Sequence, residues 1–195
     1  VLSLHIMQTY ISSYWVHFHP QLPILHKPTF NASTCPELLL LAIMCLGASC
    51  LEKNYGQETT QAYAQLADFL AWHLRWKLFM DADFRPPAKL WIFQGLLLLE
   101  VFEKMYSTRP LHERAHIHHG TTLTLMKRGN LLIGRSAMDS SPSNKDETSN
   151  GIGATDTPDE WWNHWITNEA TRRAAFAAFV MDSIHATMFG HSAVM

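Results

Sequence analysis

The residues that could do chemistry in this 195-residue chain are, first, its twelve histidines, four of which fall in the segment HERAHIHH. His112, His116 and His119 are spaced by four and three residues, so on a helix they share one face and could converge on one metal ion. A zinc site needs a further ligand and groups that orient the ligands, and the sequence has no HExxH, Cys-x-x-Cys or zinc-finger spacing. We therefore interpret the row as histidines that pack between helices or face solvent. A metal-dependent helical enzyme is the alternative.

Two pairs of polar residues could act in acid–base or metal chemistry. Asp182 and His185 lie three residues apart in a helical segment, but burial with hydrogen bonds is the simpler interpretation, because catalysis needs several converging groups. Asp81 and Asp83 precede two prolines, so we expect them in a solvated turn. Nucleophile-elbow, phosphate-loop and dinucleotide-binding motifs do not occur. The sequence therefore predicts no enzyme, and no catalytic, cofactor-binding or metal-binding residue.

Charged and aromatic residues near the end of the chain suggest contacts with other molecules. Glu169 can form ion pairs with Arg172 and Arg173 within one helix, although arginines at the mouth of a helical bundle could also hold an acidic ligand. We expect the tryptophans to pack in the core. An aromatic-lined cavity that binds a small-molecule effector is the alternative for them. The tryptophans concerned are Trp72, Trp76, Trp161, Trp162 and Trp165.

The composition is that of a globular protein, with 47% hydrophobic and 16% charged residues and a formal net charge of −2. Without a concentrated basic face, the chain is a poor candidate for direct contact with nucleic acid. Its three cysteines cannot all pair within the chain, which favours a reducing compartment. The most apolar run, Leu90 to Phe102, is interrupted by polar residues and is shorter than the roughly 20 residues that span a bilayer. We therefore expect no membrane contact.

Hydrophobic residues recur at helical spacing through most of the chain, and no alternating run of strand type occurs. The sequence therefore predicts an all-α fold, an irregular array of helices. It begins inside a helical pattern and stops soon after a helix, so we interpret residues 1–195 as one helical domain, a piece of a longer chain. The predicted helices are Leu4–His19, Pro36–Glu52, Gln57–Met80, Ala88–Tyr106, Leu111–Lys127 and Thr157–Gly190.

The sequence makes specific predictions for two of these helices and for one loop. Ala174 to Met181 has no polar side chain, which predicts a central helix, enclosed on every side by other helices. Residues 134–156 are rich in Ser, Asn, Thr and Gly, and we expect a disordered or flexible loop there. In the helix from Gln57 to Met80, the 3.6-residue period predicts one apolar face, formed by Ala62, Leu66, Phe69, His73, Trp76 and Met80 and widened by Tyr63, Leu70 and Leu74.

Four stretches of the sequence together resemble a known family. YWVHFHPQLPILHKPTF (Tyr14–Phe30) and PELLLLAIMCLGA (Pro36–Ala48) resemble the opening of the fungal-specific transcription factor domain, the middle homology region. There a helix, a proline-broken stretch and an apolar helix recur. LWIFQGLLLLEVFEKMYSTRPLHERAHIHH (Leu90–His119) and EATRRAAFAAFVMDSIHATMFGH (Glu169–His191) resemble later parts of the same domain. The likeness is greatest to the branch whose members carry C2H2 zinc fingers near the N-terminus.

This resemblance implies a regulatory domain of a nuclear transcription factor that modulates transcription by RNA polymerase II. In that family zinc fingers elsewhere in the chain bind zinc and DNA, and no finger occurs in this sequence. The implied partners of the present segment are transcriptional co-regulators or other domains of the same protein. A small-molecule sensor domain is the alternative that the aromatic residues leave open. The family domain usually continues past Met195, so the resemblance also implies a truncated segment.

Overall fold

A computed structural model describes residues 3–51, 57–129 and 158–195 of the chain. These residues form an array of α-helices without a strand, which confirms the all-α fold class. The proposed loop at 134–156 lies outside the described residues. The helices are α1 (Leu4–Ser13), α2 (Glu37–Cys50), α3 (Gln57–Met80), α4 (Leu90–Met105), α5 (Arg109–Arg128) and α6 (Pro158–Phe189).

Helix α4 is the centre of this array. Every residue from Ile92 to Lys104 is buried, and α4 packs against α2, α3, α5 and α6. Its leucines and phenylalanines supply the apolar area that drives this burial. Even so, no helix in the described part of the chain is long and apolar enough to cross a membrane.

Helix α1 and the helical turn that follows it pack against α2. After α1, a π-helical turn at Tyr14–Phe18 widens the helix and places the rings of Tyr14 and Phe18 in the core. The segment that follows, residues 20–30, contains three prolines and is called the proline-rich segment below. It buries the side chains of Ile24 and Leu25 in the core. Gly47 of α2 lies directly against the α1 backbone, because a β-carbon built there would come 1.9 Å from a carbonyl oxygen of α1. The crossing of α1 and α2 therefore requires a residue without a side chain at this position.

The prediction that the run 174–181 is enclosed on every side is wrong. Ala174, Ala177 and Ala178 are buried, whereas the side chains of Phe176 and Phe179 are 67% and 49% exposed. Helix α6 packs on α4 and α5 through one face only. The small alanines allow that face to approach its neighbours closely, and the phenylalanines are left on the opposite side. The central position belongs to α4 instead.

The face predicted for α3 is only partly the buried one: Leu74 is in the core, and Leu66 and Leu70 pack against it. Phe69, Trp76 and Met80 are exposed, and the buried face is the adjacent stripe formed by Ala67, Ala71, Leu74 and Leu78. The alanines let α3 pack so closely on α2 that the Cys45 thiol lies 3.7 Å from the Ala67 carbonyl oxygen. Both stripes recur at helical spacing, so periodicity alone could not choose between them. Close packing selected the stripe with the smaller residues.

We predict that Gly47→Ala destabilises the fold by about 2 kcal/mol or more, because the added methyl group overlaps the α1 backbone at Tyr10. Gly120→Ala on α5 is the matched control, since a β-carbon at Gly120 meets nothing within 4 Å. Alanine is the better helix former there, and the control should be neutral or more stable by up to about 1 kcal/mol. Urea unfolding followed by circular dichroism measures both changes. Equal stabilities for the two variants would contradict the prediction.

Candidate functional site

The polar residues buried between α4, α5 and α6 form the most unusual chemical feature of the described chain. His119 of α5 lies between two carboxylates. Its Nδ1 is 2.7 Å from Glu100 Oε1, and its Nε2 is 3.1 Å from Asp182 Oδ1. A carboxylate oxygen accepts hydrogen bonds, so both ring nitrogens must donate. His119 is therefore held as the positively charged imidazolium.

Lys104 of α4 completes this cluster. Its Nζ donates to Glu100 Oε1 at 2.6 Å and to His185 Nδ1 at 3.3 Å. Because His185 accepts a hydrogen bond from an ammonium group, its ring is neutral. The cluster thus contains two cations, Lys104 and His119, and two carboxylates. These opposite charges offset one another, which is the condition for burying ions at tolerable cost.

The pKa shifts of the cluster follow from this geometry. Burial, the largest influence, lowers the pKa of His185 to about 4, and the positive charges of His119 and Lys104 act in the same direction. Burial also lowers the pKa of His119, but hydrogen bonding and charge from Glu100, with the hydrogen bond to Asp182, outweigh it and raise that pKa. Burial raises the pKa of Glu100, but the hydrogen bond from His119 and the charge of Lys104 reverse this and give a net lowered pKa.

The histidine row predicted from the sequence is on one side of α5, but its members have separate roles. His119 is bonded to two carboxylates, as described above. His116 stacks on His185 with ring centroids 4.7 Å apart, and His112 Nδ1 lies 3.1 Å from the Lys104 carbonyl oxygen. Among the described residues, no group of three or more His, Cys, Asp or Glu side chains is arranged to hold a metal ion. In this geometry the three rings make hydrogen bonds and ring contacts with α4 and α6.

A second buried cluster links α4 to α3 and α5. Glu103 of α4 is fully buried and forms ion pairs with Arg75 of α3 and Arg114 of α5. Arg114 also donates to the backbone carbonyl oxygens of Ala71 and Trp72, each at 2.9 Å. One carboxylate therefore joins three helices, and Arg114 extends the connection to the backbone of α3.

Asp182 connects the first cluster to the residues that follow α6. Gly190 has a φ of +67°, a left-handed conformation that ends the helix and reverses the chain. The backbone N–H groups of Val194 and Met195 then donate to Asp182 Oδ2, each at 2.7 Å. These hydrogen bonds, together with that of His119, hold the pKa of Asp182 below its usual value even though burial alone would raise it. The segment after Gly190 is thus fastened to the buried cluster.

A surface groove of about 300 Å³ lies between α6 and the proline-rich segment. Arg173 forms a helical ion pair with Glu169 at 2.8 Å, whereas Arg172 is 3.9 Å from the same carboxylate and mostly exposed. Arg172 therefore remains available to an anionic group. The groove combines this charge with exposed apolar surface. Its lining residues are Leu22, Pro23, Glu169, Arg172, Arg173, Phe176 and Ala177.

The aspartates of the predicted turn are structural. Asp81 Oδ1 accepts from the Asp83 N–H at 2.8 Å, and Asp83 accepts from Trp91 Nε1 at 2.9 Å and pairs with Lys89 at 3.0 Å. The bonds from Lys89 and Trp91 lower the pKa of Asp83. These contacts agree with the interpretation as a turn.

The expected burial of the tryptophans is wrong. Their exposed fractions range from 39% to 63%, because each lies on the outer face of α3 or α6. Trp162 and Trp165 stack on each other with centroids 5.3 Å apart, and Arg114 lies 4.7 Å over the ring of Trp72. The exposed residues are Trp72, Trp76, Trp161, Trp162 and Trp165.

Sequence reasoning missed Glu100, Glu103 and Lys104 as the centre of both clusters. The available signal was three charged residues within five positions of an otherwise apolar helix. Charges in such a run are buried only when they are paired. Their partners lie on helices distant in sequence, so only the fold identifies them.

The family of the chain follows from comparison with known proteins. The sequence profile of the fungal-specific transcription factor domain matches residues 11–195. The chain therefore belongs to this family, as its sequence motifs indicate.

Three individual proteins are similar to the chain in sequence. Zinc finger protein klf1 of Schizosaccharomyces pombe is 34% identical over 93% of the chain and 21% of its own length. Zinc finger protein zas1 of the same yeast is 29% identical over 100% of the chain and 20% of its own length. The nicotinate catabolism cluster-specific transcription factor of Emericella nidulans is 29% identical over 100% of the chain and 21% of its own length. The chain thus spans about a fifth of these relatives. No solved structure matches the chain.

We predict that Glu103→Gln destabilises the fold by about 3–5 kcal/mol, because the change leaves the buried guanidinium group of Arg75 and the partly buried one of Arg114 without their carboxylate. Glu113→Gln is the matched control. Its ion pair with Arg109 is largely exposed, and such pairs contribute less than about 1 kcal/mol. Denaturant unfolding of both variants gives the comparison, and similar losses at the two positions would contradict a special role for Glu103.

We predict that the stability of the domain falls as the pH is lowered from about 6.5 to 4, partly because of His185. The pKa of this ring is about 4 in the folded state and about 6.5 in an unfolded chain. Neutral His185 therefore contributes stability above pH 6.5, and the contribution is lost as the unfolded state takes up a proton below it. The difference between the folded-state and unfolded-state pKa values corresponds to at most about 3 kcal/mol in the free energy of unfolding.

The variant His185→Gln tests this, since glutamine can still accept from Lys104 but does not titrate. Its free energy of unfolding should change less between pH 6.5 and 4 than that of the unmodified chain. His73→Gln, on the exposed face of α3, is the control. The contribution of His119 to stability depends on pH in the opposite direction, because the stability that its raised pKa gives is lost as the pH rises through its folded-state pKa. An unchanged acid slope in His185→Gln would contradict the assignment.

Proposed function

We propose that this chain is the regulatory domain of a transcription factor that modulates transcription by RNA polymerase II in the nucleus. In this proposal zinc and DNA are bound by zinc fingers outside these 195 residues. The domain itself is not an enzyme and needs no cofactor. It acts by binding co-regulators or other segments of the same protein. The family membership of residues 11–195 is the observation that carries the proposal.

The chemistry of the buried clusters supports a role without catalysis. The groups that could act as acid or base are engaged with one another: His119 donates through both ring nitrogens, and Glu100 accepts from Lys104 as well. Paired in this way, they hold helices together. The side chains that remain available for a partner lie on the surface.

The groove on α6 is the surface that we assign to regulatory contacts. It presents the guanidinium group of Arg172 next to the exposed ring of Phe176 and the apolar residues of the proline-rich segment. A peptide with acidic and apolar residues complements this combination of positive charge and apolar surface. Such a partner regulates transcription only if it binds two states of the transcription factor with different affinity.

A small-molecule effector is the second candidate for the same groove. Its volume of about 300 Å³ lies at the lower limit of ligand pockets, and Arg172 would pair with a carboxylate or phosphate. Among the described residues that line the groove, Phe176 is the one aromatic side chain, so the groove is not the aromatic cavity expected from the tryptophans. If the groove binds a small-molecule effector, that metabolite should raise the melting temperature in proportion to the logarithm of its excess over Kd. If the groove binds only a peptide, metabolites should leave the melting temperature unchanged.

The double variant Arg172→Glu/Phe176→Asp in the full-length protein tests the regulatory role. We expect reporter transcription to change by at least about fivefold, which corresponds to a coupling free energy near 1 kcal/mol. Arg109→Glu/Ile117→Asp on α5 is the matched control, because it makes the same changes at exposed positions away from the groove. Reporter output equal to wild type for both doubles, at equal protein level, would contradict the assignment of the groove.

The proposal that DNA is bound outside these 195 residues has a test of its own. The isolated chain should show no salt-sensitive, sequence-selective affinity for DNA in gel-shift titrations at low salt, since its net charge is −2. Tight selective binding by the isolated chain would overturn the proposal that DNA contact lies outside it.

A further inference from the structure

Residues 191–195, which we call the strap, turn back from Gly190 onto α5 and α6. The backbone N–H groups of Val194 and Met195 donate to Asp182 Oδ2 of α6, each at 2.7 Å. From α5, Lys127 Nζ donates to the Val194 carbonyl oxygen at 2.7 Å. Hydrogen bonds thus hold the strap at the end that is farther from Gly190.

The ring of His191 holds the strap at its other end, because it continues a row of imidazole rings. The ring centroids of His119 and His185 are 4.1 Å apart, and those of His185 and His116 are 4.7 Å apart. His191 then lies almost parallel to His116, with centroids 5.7 Å apart and an interplanar angle of 9°. Like charges at such distances disfavour one another. The contact of the strap with α5 therefore depends on the charge of His116.

The Nδ1 atom of His116 is not placed to carry a proton. It is buried, and it has no hydrogen-bond partner among the residues that the structure describes. A neutral imidazole can leave this nitrogen bare, whereas the imidazolium carries an N–H group on both nitrogens. A buried N–H group without an acceptor is destabilising. The rings in contact with His116 belong to His185, Phe189 and His191, so water reaches Nδ1 only if the strap or the end of α6 moves.

The charges around His116 also oppose its protonation. Burial, the largest influence, lowers the pKa of His116, and the positive charges of the neighbouring cations act in the same direction. The two nearby carboxylates are already engaged with His119. The titratable groups on the elements packed here are Glu100 and Lys104 of α4, His112 and His119 of α5, Asp182 and His185 of α6, and His191 of the strap.

We propose that proton uptake by His116 releases the strap from α5 and α6. Above the ordinary histidine pKa of about 6.5 the ring is neutral and the strap stays bound. As the pH falls below this value, the released form takes up the proton more readily than the bound form and its population grows. The domain then has two arrangements of the kind that a regulatory partner can distinguish. This release is separate from the groove on α6.

Nuclear magnetic resonance of the 195-residue chain tests the release at about pH 7.5 and about pH 5.5, on either side of the ordinary histidine pKa. We expect the backbone order parameters of Val194 and Met195 to fall from about 0.85 to below about 0.6, the values of rigid and flexible backbone. The amides of α4 should stay rigid at both pH values, which shows that the domain is still folded. A strap that stays rigid at the lower pH, or that loosens only together with α4, would overturn the proposal.

His116→Phe identifies the residue that responds, because phenylalanine keeps a ring against Phe189 but does not titrate. Its strap should remain rigid at the lower pH. His118→Phe is the matched control, since His118 is a half-buried residue of the same helix whose pKa is also lowered. The ring of His118 faces Trp76 and Phe79 of α3, so this variant should release the strap as the unmodified chain does. Equal release in both variants would contradict the role of His116.

A second measurement keeps the proposal testable if a variant does not fold. In the unmodified chain, the ring of His116 and the amide of Val194 should titrate with the same midpoint, because proton uptake and release are one linked step. Val194→Pro removes an N–H donor to Asp182 and should raise the pKa of His116 towards its ordinary value, since linkage is reciprocal. Different midpoints, or a pKa that ignores the loss of this donor, would refute the linkage. Neither result affects the α6 groove, which is measured by reporter output.

Discussion

The arrangement of helices depends on two carboxylates, Glu100 and Glu103, buried near the end of the central helix α4. An ion taken from water into the interior costs several kcal/mol unless a partner of opposite charge meets it. Glu100 is met by Lys104 and His119, and Glu103 by Arg75 and Arg114. Helices α3 and α5 must therefore lie where these cations reach α4. Apolar packing supplies most of the driving force, but it tolerates sliding and rotation more readily than ion pairs with fixed donor positions.

This charge-based arrangement also explains how the end of the described chain is held. One carboxylate oxygen of Asp182 in α6 accepts a hydrogen bond from His119. The other oxygen accepts hydrogen bonds from the backbone N–H groups of Val194 and Met195. The segment beyond Gly190 is thereby joined by hydrogen bonds to the same carboxylate that binds His119 of α5. The buried cluster thus connects α4, α5 and α6 with the residues that follow Gly190.

The interior and the surface of the described residues differ in which polar and aromatic side chains they contain and in what those side chains contact. Inside, the charged groups of the two clusters are paired and the packing is close, as the contact of Gly47 with α1 shows. Outside, aromatic residues on α3 and α6 are exposed in stripes at helical spacing, beside few charges on α3 and beside Arg172 on α6. Exposed aromatic stripes on a protein surface mark contacts with other molecules. The two faces differ in charge, and the face of α6 that carries Arg172 suits the acidic partner proposed above.

Much of the fold could be predicted from the sequence, because helical period, prolines and glycines are local signals. They identified the six α-helices of the described residues and the turn at Asp81, and the motifs identified the family. Tertiary structure alone decided which stripe of α3 and α6 is buried. Both helices carry apolar residues on more than one face, and the alanine faces pack closer than the phenylalanine and tryptophan faces. It also decided that His119 pairs with Glu100 and Asp182, because partners on different helices become neighbours only when the chain has folded.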